Sequence, residues 1–246
     1  MKLLHKFNSI TFRRQARVWR CLTLSLCLSL LPATQVNAAE NPNERDYTVE
    51  LLIFTQTPAA GTTEAPGKPW QPQLPQTQGK DSSVPAYIVG DASAWQQMTD
   101  QHLPRYAPVR PGFSYEARKL ERSGKHRILF HEAWKMHVVG RDRSIPILFQ
   151  GGDQYGSRPE LQGKIQVSVG RYLHVNLDAY LTQFQKVDHE GDQLPTAADA
   201  QAAGPQPLFR AVSSAHLQQT RRMRSNEIHY IDSPYFGAMI RIQRAE

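Results

Sequence analysis

Arg221, Arg222 and Arg224 cluster just ahead of Glu227, His229, Tyr230 and Asp232. A guanidinium group offers a planar fork of donors suited to bidentate capture of a carboxylate or phosphate. A tyrosine face can pack on a sugar ring while its hydroxyl edge stays wet. The same residues also fit a plainer role. The arginines can pair with Glu227, Asp232 and neighbouring carboxylates at a sheet edge, where charge discourages the addition of further strands. The residues alone leave both roles open.

A second group sits at Arg171, Tyr172 and His174. Around it, Ile165, Val167, Val169, Leu173, Val175 and Leu177 share one parity, which predicts one long strand over Leu161 to Leu177 with a consistent buried face. Only Arg171 breaks the series. On such a strand its charge needs a partner or a cavity, because an unpaired buried charge costs several kcal/mol. A hairpin turning at Gly170 is the alternative, and it would put Arg171 in the turn.

Catalytic patterns are scarce. There is no G-x-S-x-G, P-loop, G-x-G-x-x-G or H-E-x-x-H. His131-Glu132 and His137 have the wrong spacing for ligands one helical turn apart, and on a strand the two histidines stand about 20 Å apart. His174 and Asp178 form H-x-x-x-D, a fragment of a zinc endopeptidase pattern without its H-x-H. A hydrolase built on paired carboxylates needs two acids in one cleft. Glu132, Glu160, Asp178, Glu227 and Asp232 are candidates, and nothing singles out a pair. Neither a metal nor a cofactor is expected.

Both cysteines, Cys21 and Cys27, lie near the N-terminus, so the body beyond them forms no disulfide and no thiolate metal site and offers no cysteine nucleophile. The N-terminal stretch itself reads as an export signal. Leu22 to Leu31 is an apolar core, Pro32 breaks it, and Val36-Asn37-Ala38 supplies small residues before Ala39. A core of that length is about half of a membrane span. The leucine-rich core favours the general secretory route. Six of the 29 lysines and arginines lie within the first 38 residues, with no acid among them, so a formal charge of +7 falls to +1 once they are removed. The excess basicity belongs to the leader, and no nucleic-acid partner is expected.

The elements that must carry the candidate residues follow. Asp46 to Phe54 predicts a buried strand. Thr55 to Pro85 holds six prolines and five glutamines, and Asp188 to Pro207 is rich in alanine, proline and small polar residues; both predict flexible insertions. Asp91 can cap a short helix presenting Ala94, Trp95, Met98 and His102. A second helix follows Pro111-Gly112, with Phe113, Ala117 and Leu120 inward, and ends at Ser123-Gly124. His126 to Val139 resumes as strand, and Leu208 to Ile242 as two or three more. The expectation is one α+β domain over residues 39–246 after removal of residues 1–38. It consists of a curved, mainly antiparallel sheet covered by two helices, with flexible insertions at about 55–85 and 188–207.

Three segments together resemble a known family. YTVELLIF at Tyr47–Phe54, GRYLHVNLDAYL at Gly170–Leu181 and RRMRSNEIHYIDSPYFGAMIRI at Arg221–Ile242 are similar to the CsiV family of exported peptidoglycan-binding proteins, and ILFHEAWKM at Ile128–Met136 is similar to its mid-domain strand. One departure is Ser233, where the family pattern usually has histidine in the H-Y-x-D-x-P turn. The resemblance implies a non-enzymatic periplasmic protein of Gram-negative cells that binds peptidoglycan and supports wall assembly and cell shape. Its implied partners are a bifunctional penicillin-binding synthase and the outer-membrane lipoprotein activator of that synthase. On this reading Arg221, Arg222 and Arg224 engage carboxylates of the peptide stems, and Tyr230 or Tyr172 packs against sugar or peptide. Glu227, His229, Asp232, Arg171 and His174 complete the candidate ligand-binding set. Two other classes fit the residues: a protein–protein adaptor without wall affinity of its own, and a cryptic wall hydrolase.

Overall fold

The computed structural model describes residues 42–60, 62, 65–75, 86–187 and 209–245. The expected leader and the 188–207 insertion lie outside the described residues. Strand β1 (Arg45–Thr55) sends Tyr47, Val49, Leu51 and Ile53 to one face and Glu50, Leu52 and Phe54 to the other, the period of two that a pleated strand imposes. Further along the chain come β2 (Tyr87–Ile88), helix α1 (Ser93–Gln96), β3 (Pro108–Val109), helix α2 (Ser114–Arg122) and β4 (Ile128–Val138). A 3-10 turn at Arg141–Arg143 leads to β5 (Ile147–Tyr155), β6 (Arg158–Val169), β7 (Leu173–Lys186), β8 (Phe209–Met223), β9 (Ile228–Asp232) and β10 (Phe236–Arg244).

These strands form two five-stranded sheets among the described residues, ordered β3-β4-β1-β10-β9 and β2-β5-β6-β7-β8. All pairings are antiparallel except β2 with β5. The expected single curved sheet is therefore corrected to two. Their apolar faces meet in one cluster that joins Val49, Leu51, Trp134 and Ile240 of the first sheet to Phe149, Ile165, Val175 and Leu177 of the second. The physical reason lies in supply: an apolar sheet face must be buried by another layer, and helices of four and nine residues cannot cover ten strands. The second sheet does that instead.

Helix α2 packs Phe113, Ala117 and Leu120 against Leu52, Phe54 and Met239, on the face of β1 turned away from the central cluster. Helix α1 is a single turn. The Asp91 carboxylate accepts from the Ser93 N–H (3.2 Å), and Trp95 packs with Ile88 and Leu148. Met98 and His102 lie beyond the turn and are exposed, which corrects the longer helix expected.

The predicted long strand over Leu161–Leu177 is a hairpin. Val169 stands opposite Leu173, and the chain reverses through Gly170–Tyr172, where the Gly170 N–H donates to the Tyr172 carbonyl at 3.0 Å. Directly opposed residues share a face, and here each opposed pair has the same parity. The apolar alternation therefore passes through the reversal unbroken, and periodicity could not separate strand from hairpin. Arg171 sits in the turn and is exposed.

Residues 65–75, expected within a flexible insertion, form a strap across the second sheet. Gly67 and Ser214 exchange two backbone hydrogen bonds (2.9 and 3.1 Å), the Trp70 N–H donates to Ser214 Oγ (2.9 Å), and Arg158 Nη2 donates to the Trp70 carbonyl (2.9 Å). Trp70 and Leu74 pack against the cluster of Trp95 and Leu148. Proline keeps the segment out of a ladder, yet two large apolar side chains suffice to dock it.

Candidate functional site

The register of β7 with β8 decides which candidate residues meet. His174 stands opposite Arg222, Asn176 opposite Thr220, Asp178 opposite Gln218 and Tyr180 opposite His216. These alternate with Val175, Leu177 and Ala179, whose side chains fill the core, so the polar set lies on the outer face of the second sheet. At its turn end, the Tyr172 ring has the Arg222 guanidinium 4.8 Å from its centroid and that of Arg171 at 5.7 Å, both within cation–π reach. Burial together with the positive charges of Arg141 and Arg222 holds the His174 imidazole below its ordinary pKa, so it is predominantly neutral at pH 7. Arg141, Arg171 and Arg222 form no ion pair with a described carboxylate, whereas Arg143 is tied to Glu44. The result is a basic patch built on an aromatic ring.

Four of the ten candidate residues thus come together: Arg171, Tyr172, His174 and Arg222. The others do not join them. Arg221 stands opposite core-facing Val175 and so takes the other face of β8. Arg224 lies in the β8–β9 connection, where its backbone N–H donates to Glu227 Oε2 (3.1 Å) and Asn226 adopts φ 70°, a left-handed conformation that asparagine tolerates. Glu227 also meets His229 Nε2 at 3.3 Å. The Arg224 backbone bond, then the one from His229, holds the exposed Glu227 carboxyl below its ordinary range. Tyr230 stacks on Phe54 (6.2 Å, 17°) and its hydroxyl donates to Gln56 Oε1 at 2.8 Å, while Asp232 stands exposed opposite Gly237. Glu227, His229, Tyr230 and Asp232 therefore belong to the first sheet and its approach. None of the three guanidinium groups forms a hydrogen bond or contact ion pair with Glu227 or Asp232, although the charge of Arg224 acts on Glu227 at longer range.

Sequence reasoning missed the other end of the same face. Trp70, Tyr180 and His216 form a column of parallel rings, with centroids 4.2 and 4.1 Å apart and planes within 5°. Asp178 bridges His216 Nε2 (2.8 Å) and Lys164 Nζ (3.3 Å). A half-open cavity of about 210 Å3 lies against them, lined by Trp70, Gln73, Trp95, Gly163, Lys164, Asp178 and Tyr180. The available signal was a tryptophan among prolines and glutamines, together with the polar alternation Asn176, Asp178, Tyr180.

Ser233 uses its hydroxyl locally, donating to the Phe236 carbonyl at 3.1 Å beside its own N–H at 3.0 Å. Its role here is to shape the β9–β10 turn. Among the described residues, no three histidine, cysteine or acidic side chains are grouped to hold a metal, and no helix is long and apolar enough to cross a membrane.

Fold and site together define a β-rich protein that presents a basic, aromatic and amide-lined sheet face. The chain belongs to the CsiV family of peptidoglycan-binding proteins, which it matches over residues 21–245. No curated protein and no solved structure gives a match.

Proposed function

We propose that this chain is a periplasmic peptidoglycan-binding protein without catalytic activity, and that it binds the wall polymer through the basic patch around Tyr172. One observation carries the assignment to this patch: Arg171 and Arg222 present guanidinium groups beside the Tyr172 ring, with no ion pair to a described carboxylate, and Arg141 adds its charge at His174. The polymer's peptide stems carry free carboxylates, which such forks grip in bidentate fashion. The protein is exported by the general secretory route, loses residues 1–38, and works as one domain over 39–246. Its role is to support wall assembly and cell shape beside a bifunctional penicillin-binding synthase and that synthase's lipoprotein activator.

The test is sedimentation of purified protein with insoluble sacculi across a salt series, with the supernatant assayed for released fragments. Binding should weaken with salt, because exposed charge contacts are screened. The double variant R171A/R222A should bind more weakly and lose part of that salt dependence, while R221A should behave as the wild type. Equal effects of R221A and R222A would refute the patch. Failure to co-sediment at low salt, with saturable binding to a purified synthase, would turn the reading to an adaptor. Fragment release would turn it to a hydrolase.

A further inference from the structure

We infer that the cavity beside the Trp70 strap is a saccharide subsite that takes one sugar ring of the glycan strand, separate from the basic patch. The inference rests on the wall-binding reading and adds to it the sugar half of the polymer. The cavity has the chemistry that a pyranose requires. The Trp70 and Trp95 indoles supply apolar walls. Tyr180, whose two faces are taken by Trp70 and His216, offers its hydroxyl edge. A lysine, a carboxylate and an amide stand beside them for hydroxyl and acetamido groups. At about 210 Å3 it is smaller than the pockets that enclose drug-sized ligands. That is the scale of a single ring.

The walls are also held in place beforehand. The Trp70 indole lies flat on Tyr180 at 4.2 Å and edge-on to Trp95 at 6.1 Å. Its backbone is fixed by Ser214 and Arg158. A site that is already ordered gives up little side-chain freedom on binding. Asp178 is oriented by both His216 and Lys164. Trp70 Nε1 and the Tyr180 hydroxyl, by contrast, bond to no described residue and are available to a ligand.

The face is arranged for an extended polymer. Tyr180 and His174 are six residues apart on β7, about 20 Å at about 3.3 Å per residue. Between His174 and the Asp178–Lys164 pair that borders the cavity, Asn176, Gln218 and Thr220 point outward, exposed and uncharged. The face therefore runs from an aromatic end through a neutral hydrogen-bonding middle to a basic end. A neutral sugar chain bearing acidic peptide branches has the complementary order.

Peptide-free glycan strands separate this inference from the wall-binding reading. Added to purified protein without residues 1–38, they should bind saturably and change the tryptophan fluorescence. Trp70 is the partly exposed reporter beside buried Trp95 and Trp134. W70A should weaken that binding about tenfold, the equivalent of about 1.4 kcal/mol, while R171A/R222A should leave it unchanged. Because W70A also loosens the strap, Q73A serves as a second variant. Gln73 is exposed and lines the cavity, and its loss should weaken binding about threefold with the unfolding midpoint unaltered. Wild-type protein that sediments with sacculi but ignores peptide-free strands would overturn the subsite and leave wall binding standing. So would W70A and Q73A proteins that bind those strands as the wild type does. Failure to bind either form of the polymer would overturn the wall-binding reading itself.

Discussion

Replacing Glu50 should destabilise the protein without touching the proposed binding face. The Glu50 side chain is buried on the outer face of β1, 3% exposed. Its Oε1 accepts from the Phe113 N–H (2.6 Å) and faces His131 Nε2 (3.0 Å), and its Oε2 accepts from Arg241 Nη2 (2.8 Å). The Arg241 guanidinium in turn lies over the Phe113 ring, 4.9 Å from its centroid, so one carboxylate fastens the start of α2 to β1, β4 and β10. Removing one member of a buried pair costs about 3–5 kcal/mol. Water can reach the Arg241 side chain, 21% exposed, which places E50A near the lower end at about 3 kcal/mol. For a chain of this size each kcal/mol moves Tm by about 2–4 °C, so the midpoint should fall by roughly 6–12 °C. E50Q keeps the volume and loses the charge, and should cost about 1.5–3 kcal/mol. Burial pushes the Glu50 carboxyl up, but the hydrogen bonds from His131, Phe113 and Arg241 outweigh it and the net pKa is lowered. A carboxyl lowered by folding stabilises fully above its unfolded value of about 4.3. That contribution is lost as pH falls through the folded value. Urea unfolding followed by fluorescence should therefore show a gap between wild type and E50Q that is widest near pH 7 and narrows in acid. An E50Q protein as stable as the wild type at pH 7, or a gap that widens on acidification, would refute this account.

Further outcomes follow from the same geometry. A Cβ at Gly151 would fall 2.0 Å from the Leu129 carbonyl oxygen, so G151A must part β4 from β5 and should lower the urea midpoint by the equivalent of about 1–3 kcal/mol. R222A removes one of the positive charges that depress His174, so an NMR titration should find the His174 pKa higher in that variant and unchanged in R221A. S214A deletes the hydroxyl that accepts from the Trp70 N–H and bonds Thr182 Oγ1 at 2.9 Å. It should cost about 1–2 kcal/mol and speed proteolytic cleavage within residues 65–75, read by mass spectrometry.

Much of the fold was legible where one residue's neighbours in sequence are also its neighbours in space. The α2 spacing of Phe113, Ala117 and Leu120, the strand over Ile128–Val138 and the burial of Asp46–Phe54 all depend on local periodicity. What escaped depends on distant partners. The Trp70 strap is fixed by Ser214 and Arg158, 144 and 88 residues away, and a proline-rich composition says nothing of such docking. The second sheet escaped for a related reason. Alternation in β6 and β7 marks an apolar face but not whether helices or strands cover it.

The candidate site illustrates the limit more sharply. Arg221, Arg222 and Arg224 look like one basic cluster when read along the chain, yet a strand sends adjacent side chains to opposite faces. Arg221 and Arg222 therefore cannot grip one ligand from one side of the sheet, and Arg224 has left the strand altogether. The residues that lie beside Arg222 are those its register brings alongside, namely His174 across the ladder and Tyr172 and Arg171 in the preceding turn. Sequence runs of charge mark a functional surface only after register is known. In this chain the register turns an apparent triple-arginine motif into a single arginine that joins a patch assembled from the 3-10 turn, the β6–β7 turn and β8. Charge reversal at Arg221 and at Arg222 is for that reason the sharpest comparison available. R222E should abolish retention on sacculi at low salt and R221E should spare most of it, whereas a patch defined by proximity in sequence requires the two to fail alike.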